Sequence, residues 1–234
     1  MRTPTADGTG TPPTTGTEAI DAHGSIEPIS ADALRAGFRR ARRSIDRHAA
    51  ALTRLDAVLG DGDHGDNLAI GFRAVDELLD ELPASTLPSE LLRSIGHRLV
   101  GAVGGASGPL YGTACIEAGF RAGTATTLDP VLAAAMLRAA AAGLARRGRC
   151  AVGDKTILDT LAPAADAFAG AIEAGLDAAT AQRRALTAAR TGMRATRPLV
   201  ARRGLALRLG PRSAGHLDPG AVSCYLLLAA LAQR

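Results

Sequence analysis

Tryptophan is absent from this 234-residue chain, and lysine and asparagine occur once each, as Lys155 and Asn67. With two Tyr and four Phe, the aromatic platforms on which unpaired bases stack are nearly missing. Three cysteines (Cys115, Cys150 and Cys224) form no CxxC pair and would leave an odd thiol in any disulfide scheme, so they are expected as reduced, buried thiols in a cytoplasmic protein. No run approaches the ~20 uninterrupted apolar residues of a membrane-spanning helix. Met1–Thr17 has no apolar core of a signal peptide. The expectation is a chain without membrane association.

What the chain has in excess is arginine. Lys and Arg together number 27 against 23 acids, for a net charge of +4 and a pI near 9.5. Alongside abundant Ala and Gly, this reads as compositional bias. The arginines are spread along the chain and name no nucleic-acid partner. Hydrophobic residues make up 47%, enough for one large core. Residues 1–27 are polar and rich in Thr, Gly and Pro, with too little to bury, and are expected to be a disordered tail. Residues 28–234 are expected to form one domain.

Within that domain the apolar spacing is helical. Leu34, Phe38, Ala41, Ile45, Leu52 and Leu55 recur at three- and four-residue steps after Ser30, a good N-cap. A second helix is predicted from about Asn67 to Leu82, stopped by Pro83, and a third opens at Pro88. A Gly-rich break, Gly101–Gly108, precedes a small-residue helix through Ala118. Further helices are predicted from Asp129-Pro130 to Arg147, over 156–174 and 177–196, and from Asp218-Pro219 to Ala232. No stretch alternates cleanly as a strand does. Eight helices with short connections predict an all-α antiparallel up-and-down bundle.

The chemistry lies in the breaks between helices. In LDAVLGDGDHGDN, Asp56, Asp61 and Asp63 place three carboxylates in a glycine-punctuated turn, where they would repel unless a cation lay between them. The glycine spacing and Phe72 at the twelfth position exclude an EF-hand, and oxygen-only donors suit Mg2+ or Ca2+. Ordinary turn and capping chemistry is the competing explanation. In GGASGPLYGT, glycines and Ser107 at a helix start offer N–H groups for phosphate, and a tight helix–helix contact would explain the glycines equally well. GDKTILD contains the only lysine, where a compact ammonium is used in place of a guanidinium fork, although one lysine must fall somewhere. In GHLDPGA, Asp218 and Pro219 read as an N-cap and first-turn proline. Capping does not account for His216 or Arg212.

Taken together and in this order, the four motifs resemble the nucleotide-binding L subunit of dihydroxyacetone kinases and the matching C-terminal domain of single-chain forms, over residues 30–234. The resemblance implies a barrel of eight antiparallel helices with a nucleotide site at one end. It implies that Asp56, Asp61 and Asp63 hold two Mg2+ ions that bridge the phosphates of ADP or ATP. His64, Gly65, Asn67, Ala106, Ser107, Gly148, Ile157, Asp218, Pro219 and Gly220 would line the nucleotide site. Lys155, Thr113, His216 and Arg203 are secondary candidates. It further implies a kinase subunit that works with a separate subunit carrying dihydroxyacetone, or a related short ketose, with phosphate drawn from ATP or from a phosphotransferase-system protein. A homodimer stays open. One departure stands out: Leu205 occupies a position where the family has an arginine that approaches the nucleotide. A non-catalytic regulatory module of the same fold is the alternative reading.

Overall fold

The computed structural model describes residues 28–233, so the expected tail over 1–27 lies outside the described residues. The described chain opens with a two-residue strand β1 (Ile29–Ser30) and continues through helices α1 (Ala31–Leu59), α2 (His64–Glu81), α3 (Pro88–Ala102) and α4 (Ser107–Ala122). A second short strand, β2 (Thr127–Leu128), leads into α5 (Pro130–Gly148), α6 (Leu158–Glu173), α7 (Ala178–Ala195), a 3₁₀ segment (Leu205–Ser213) and α8 (Pro219–Ala232). Each helix packs on its neighbours in sequence, and α8 packs back on α1. The result is a closed, antiparallel eight-helix barrel. β1 and β2 pair antiparallel, Ile29 with Leu128 and Ser30 with Thr127, a ladder too short to leave an alternating pattern in sequence.

Sequence-local chemistry starts these helices. Ser30, Asp129, Asp177 and Asp218 accept backbone N–H bonds from Ala33, Leu132, Thr180 and Ala221, each three residues on. Pro88, Pro130 and Pro219 occupy first turns. α2 begins at His64, three residues earlier than its apolar spacing suggests, because the Asp56 carboxylate takes up the N–H groups that lead into it. Arginine finishes helices as well: Arg35 donates to the carbonyls of Leu79 and Pro83 at the end of α2, and Arg40 to those of Ala230 and Gln233 at the end of α8. Part of the arginine excess thus serves the fold.

The barrel interior is filled by Ile45, Leu52, Leu68, Phe72, Leu91, Ile95, Leu99 and Leu144, all buried. α8 carries no charged residue; it is flanked by α1 and α7 and also touches α6, so little of it needs a polar face. Glycines bring α3 and α4 together. A Cβ at Gly112 would lie 2.6 Å from the Gly96 carbonyl oxygen, and one at Gly96 the same distance from the Gly112 carbonyl. Gly108 likewise faces the carbonyls of Leu99 and Val103. The glycine-rich motif therefore divides: Gly108 and Gly112 serve helix packing, while Gly104 and Gly105 form the turn.

Two glycine substitutions test this packing by urea denaturation. Gly112→Ala forces backbone apart and is expected to cost about 1–3 kcal/mol. Gly170→Ala, on the exposed side of α6 with open space around it, is expected to stabilise by about 0.5–1 kcal/mol.

Candidate functional site

Strict alternation of helix direction places the ends of α1, α3, α5 and α7 and the beginnings of α2, α4, α6 and α8 at one end of the barrel. Four helix N-termini, each a positive dipole end, therefore face the same region. The four motifs found in sequence are the connections at this end.

The α1–α2 turn is organised by Asp56. Its buried carboxylate accepts through Oδ2 from the N–H groups of Gly62 (3.0 Å), Asp63 (3.1 Å) and His64 (3.2 Å). This folds the turn so that one carboxylate oxygen from each of Asp56, Asp61 and Asp63 lies within 4.8 Å of the others, with Asp61 and Asp63 exposed. Burial raises the Asp63 carboxyl above its ordinary range; Asp61 and Asp56 push the same way, and a hydrogen bond from Asn67 opposes them. Three convergent carboxylates with one destabilised anion fit a hard divalent cation, which would remove the repulsion.

Asn67, the only asparagine, links two motifs. Besides bonding Asp63 it lies against Gly104, where a Cβ would come within 2.9 Å of its amide. His64 is buried, with Nδ1 3.1 Å from Ser107 Oγ and Nε2 2.9 Å from Ser223 Oγ. Burial lowers its pKa below the ordinary value, against a smaller opposing effect of Asp56, so the ring is neutral near pH 7. Ala106, exposed, is the N-cap of α4, and Ser107 is its first residue. Gly65 turns its α-carbon onto Ala49 of α1, so its lack of a side chain serves helix packing and only its backbone is left for a ligand.

Across the mouth, Gly148 ends α5 beside Leu110 and Cys150, and buried Ile157 packs on Gly220. Asp218 caps α8 through a 2.7 Å bond from the Ala221 N–H, and its own N–H donates to Thr196 Oγ1. Burial pushes the Asp218 carboxyl up to about 7; Asp159 and Asp56 add to this, while the Ala221 N–H and Lys155 oppose it.

The secondary candidates divide differently. Lys155 is buried at a φ of 65°, and its ammonium donates to the carbonyls of Thr196 and His216. It clamps the segment between α7 and α8 from inside and does not face an open site. His216 is exposed, Thr113 is half-buried, and Arg203 is exposed with Nε 3.6 Å from Asp154 Oδ2.

Asp159 belongs to this end although the motif reading did not single it out as a site residue. Its two oxygens accept from the N–H groups of Gly153 (2.6 Å) and Thr156 (2.7 Å), ordering the α5–α6 turn as Asp56 orders α1–α2. Its place in GDKTILD was the available signal. Tyr111 and Ser223, whose hydroxyls continue the hydrogen-bond chain from His64, were likewise not singled out.

The two perturbed groups give opposite pH dependences. His64, held neutral, contributes stability that is full above its ordinary pKa of 6.5 and is lost as pH falls below it. Asp218 binds its proton more tightly folded than unfolded, so its contribution is present below its ordinary pKa of 3.8 and is lost as pH rises towards 7. In melting curves between pH 4 and 8, His64→Gln is expected to remove the first slope. Asp218→Asn, which keeps a capping side chain, is expected to remove the second. Asp56→Ala should lower the melting temperature by orphaning three N–H groups, whereas exposed Asp61→Ala should leave it within about a degree of the parent.

Comparison with known proteins matches residues 58–233 to the DAK2 domain. The ADP-binding subunit of PEP-dependent dihydroxyacetone kinase 2 from Listeria innocua is 40% identical over 185 residues, covering 79% of this chain and 85% of its own. The corresponding subunit of the Escherichia coli PEP-dependent enzyme is 37% identical, covering 77% and 86%. Among solved structures, the dihydroxyacetone kinase of C. freundii in complex with AMP-PNP and Mg2+ superposes with a TM-score of 0.66 at 25% identity. The match covers 98% of this chain and 38% of that longer one. The native form of that kinase gives a TM-score of 0.67 at 23% identity, covering 98% and 39%. No described helix is long and apolar enough to cross a membrane. The chain belongs to the DAK2-domain family, whose members include the ADP-binding subunits of dihydroxyacetone kinases.

Proposed function

We propose that this chain is the ADP- and Mg2+-binding subunit of a dihydroxyacetone kinase. In this reading it delivers a phosphoryl group to dihydroxyacetone, or a related short ketose, held on a separate substrate-binding subunit. The observation that carries the reading is the convergence of Asp56, Asp61 and Asp63 within 4.8 Å at the end of the barrel where four helices begin. Bound there, two Mg2+ ions would neutralise the phosphate charge that builds up in phosphoryl transfer. The chain's own parts position the nucleotide. N–H groups at the starts of α2 and α4 meet phosphate, Ile157 and Gly148 border the base, and Asp218, Pro219 and Gly220 close the far side.

Phosphoryl transfer of this kind depends on positioning and charge stabilisation, which the carboxylate cluster and the helix N-termini can supply. Several stand-alone relatives carry names marking them as dependent on PEP or on the phosphotransferase system. That favours a phosphotransferase-system protein as donor, with ADP retained and rephosphorylated in place. Leu205 sits exposed at the start of the 3₁₀ segment, and Arg203 beside it is directed towards Asp154.

Calorimetry tests the reading. ADP should bind only with Mg2+ present, and Asp61→Ala should abolish that binding while the protein stays folded. Mixed with a dihydroxyacetone-binding subunit and a phosphoryl donor, the parent protein should support formation of dihydroxyacetone phosphate. Equal ADP affinity with and without Mg2+ overturns the metal assignment, and absence of transfer in the complete mixture overturns the kinase role.

A further inference from the structure

Two hydroxyls in the barrel wall connect, directly or in series, to the His64 imidazole. Tyr111 on α4 and Ser223 on α8 are both buried, and a buried hydroxyl needs partners. Tyr111 Oη lies 2.7 Å from Ser223 Oγ and 3.2 Å from the Gly220 carbonyl. Ser223 Oγ lies 3.0 Å from that same carbonyl and 2.9 Å from His64 Nε2. On the other side of the imidazole, Nδ1 is 3.1 Å from Ser107 Oγ. One hydrogen-bonded chain thus joins the first turns of α2, α4 and α8.

The proton count gives this chain a direction. The Gly220 carbonyl only accepts, and each hydroxyl has a single proton. With the Ser223 proton on that carbonyl and the Tyr111 proton on Ser223, the 2.9 Å contact to His64 is a hydrogen bond only if Nε2 carries the ring's proton. With the imidazole proton on Nε2, Nδ1 is left bare and Ser107 donates to it, the arrangement that gives every contact of the chain a proton.

We propose that Tyr111 and Ser223 are positioning residues of the nucleotide site. They hold His64 as its Nε2–H tautomer, so that the Ser107 hydroxyl is turned into the ring and offers only lone pairs to a ligand. The partner of Ser107 is then an O–H donor, either a ribose hydroxyl or a metal-bound water, and phosphate near this corner falls to the backbone N–H groups of α4. This builds on the nucleotide-binding reading above.

The ring is tested without ligand. Nitrogen-15 spectra of the free protein at neutral pH, with His64 assigned by its loss in His64→Gln, should show a bare Nδ1 and a protonated Nε2. A protonated Nδ1 overturns the proposal.

The positioning role is tested by a double-mutant cycle on Mg2+-dependent ADP affinity. Ser107→Ala and Ser223→Ala should each weaken binding about tenfold, the worth of one hydrogen bond. Because Ser223 acts through His64 on Ser107, the double variant should also lose only about tenfold. Independent structural effects would multiply to about a hundredfold, and that result, or no loss in Ser223→Ala, overturns the role. Should Ser223→Ala fail to fold, Tyr111→Phe keeps the ring's volume and runs the same cycle. With inorganic pyrophosphate and Mg2+ as probe, Ser107→Ala should be silent if its partner is the ribose and weakened if it is a metal-bound water. Unchanged affinity for both ADP and pyrophosphate overturns the ligand contact. If the parent protein binds no Mg2+-ADP, the nucleotide reading fails, and the spectra still decide the tautomer.

Discussion

Eight helices that alternate in direction and close on themselves must put the starts of every second helix at the same end. Everything chemical about this protein follows from that constraint. It gathers the first turns of α2, α4, α6 and α8, which lie far apart in sequence, around one mouth. The N–H groups of such turns have no helical partner, so they are free to bind an anion or to be organised by a side chain.

Here aspartates do the organising. Asp56 orders the α1–α2 turn, Asp159 the α5–α6 turn and Asp218 the entry to α8, each by accepting backbone N–H groups. A carboxylate removed from water is costly unless hydrogen-bonded, and these bonds supply that compensation. Where they are fewer the strain shows. Asp218, with one N–H on its carboxylate, holds its proton up to about 7, while exposed Asp63 is disfavoured as an anion by partial desolvation and by its acidic neighbours. A site with unrelieved negative charge beside free N–H donors is suited to receive a metal–anion complex. The buried Lys155 supplies one fixed positive charge, but spends its hydrogen bonds on the carbonyls of Thr196 and His216.

Much of this was legible before any fold was known. Ser30, Asp129-Pro130, Asp177 and Asp218-Pro219 mark helix starts because capping is a short-range event, completed within three residues. The carboxylate trio was legible for the same reason, since Asp56, Asp61 and Asp63 are brought together by one turn. The early start of α2, the 3₁₀ segment and the paired strands escaped notice. Each depends on partners that periodicity does not reveal: Asp56 reaching forward, Leu59 packing under Ala201 and Ala206, and Ile29 meeting Leu128 across the barrel.

The rarity of Lys155 and Asn67 marked positions that matter, without saying how. Only the packed barrel separates them. It places Asn67 between Asp63 and Gly104, where two motifs meet, and turns Lys155 inward as a clamp. It likewise assigns Gly108 and Gly112 to the α3–α4 contact, and joins Tyr111, Ser223, His64 and Ser107 into one chain. By itself the sequence determined the helices, their order and the local carboxylate cluster, because those rest on interactions a few residues long. Tertiary structure decided which side chains share a hydrogen bond across the mouth. The contacts of His64 and Tyr111 with α8 join residues more than a hundred positions apart, and no local pattern encodes them.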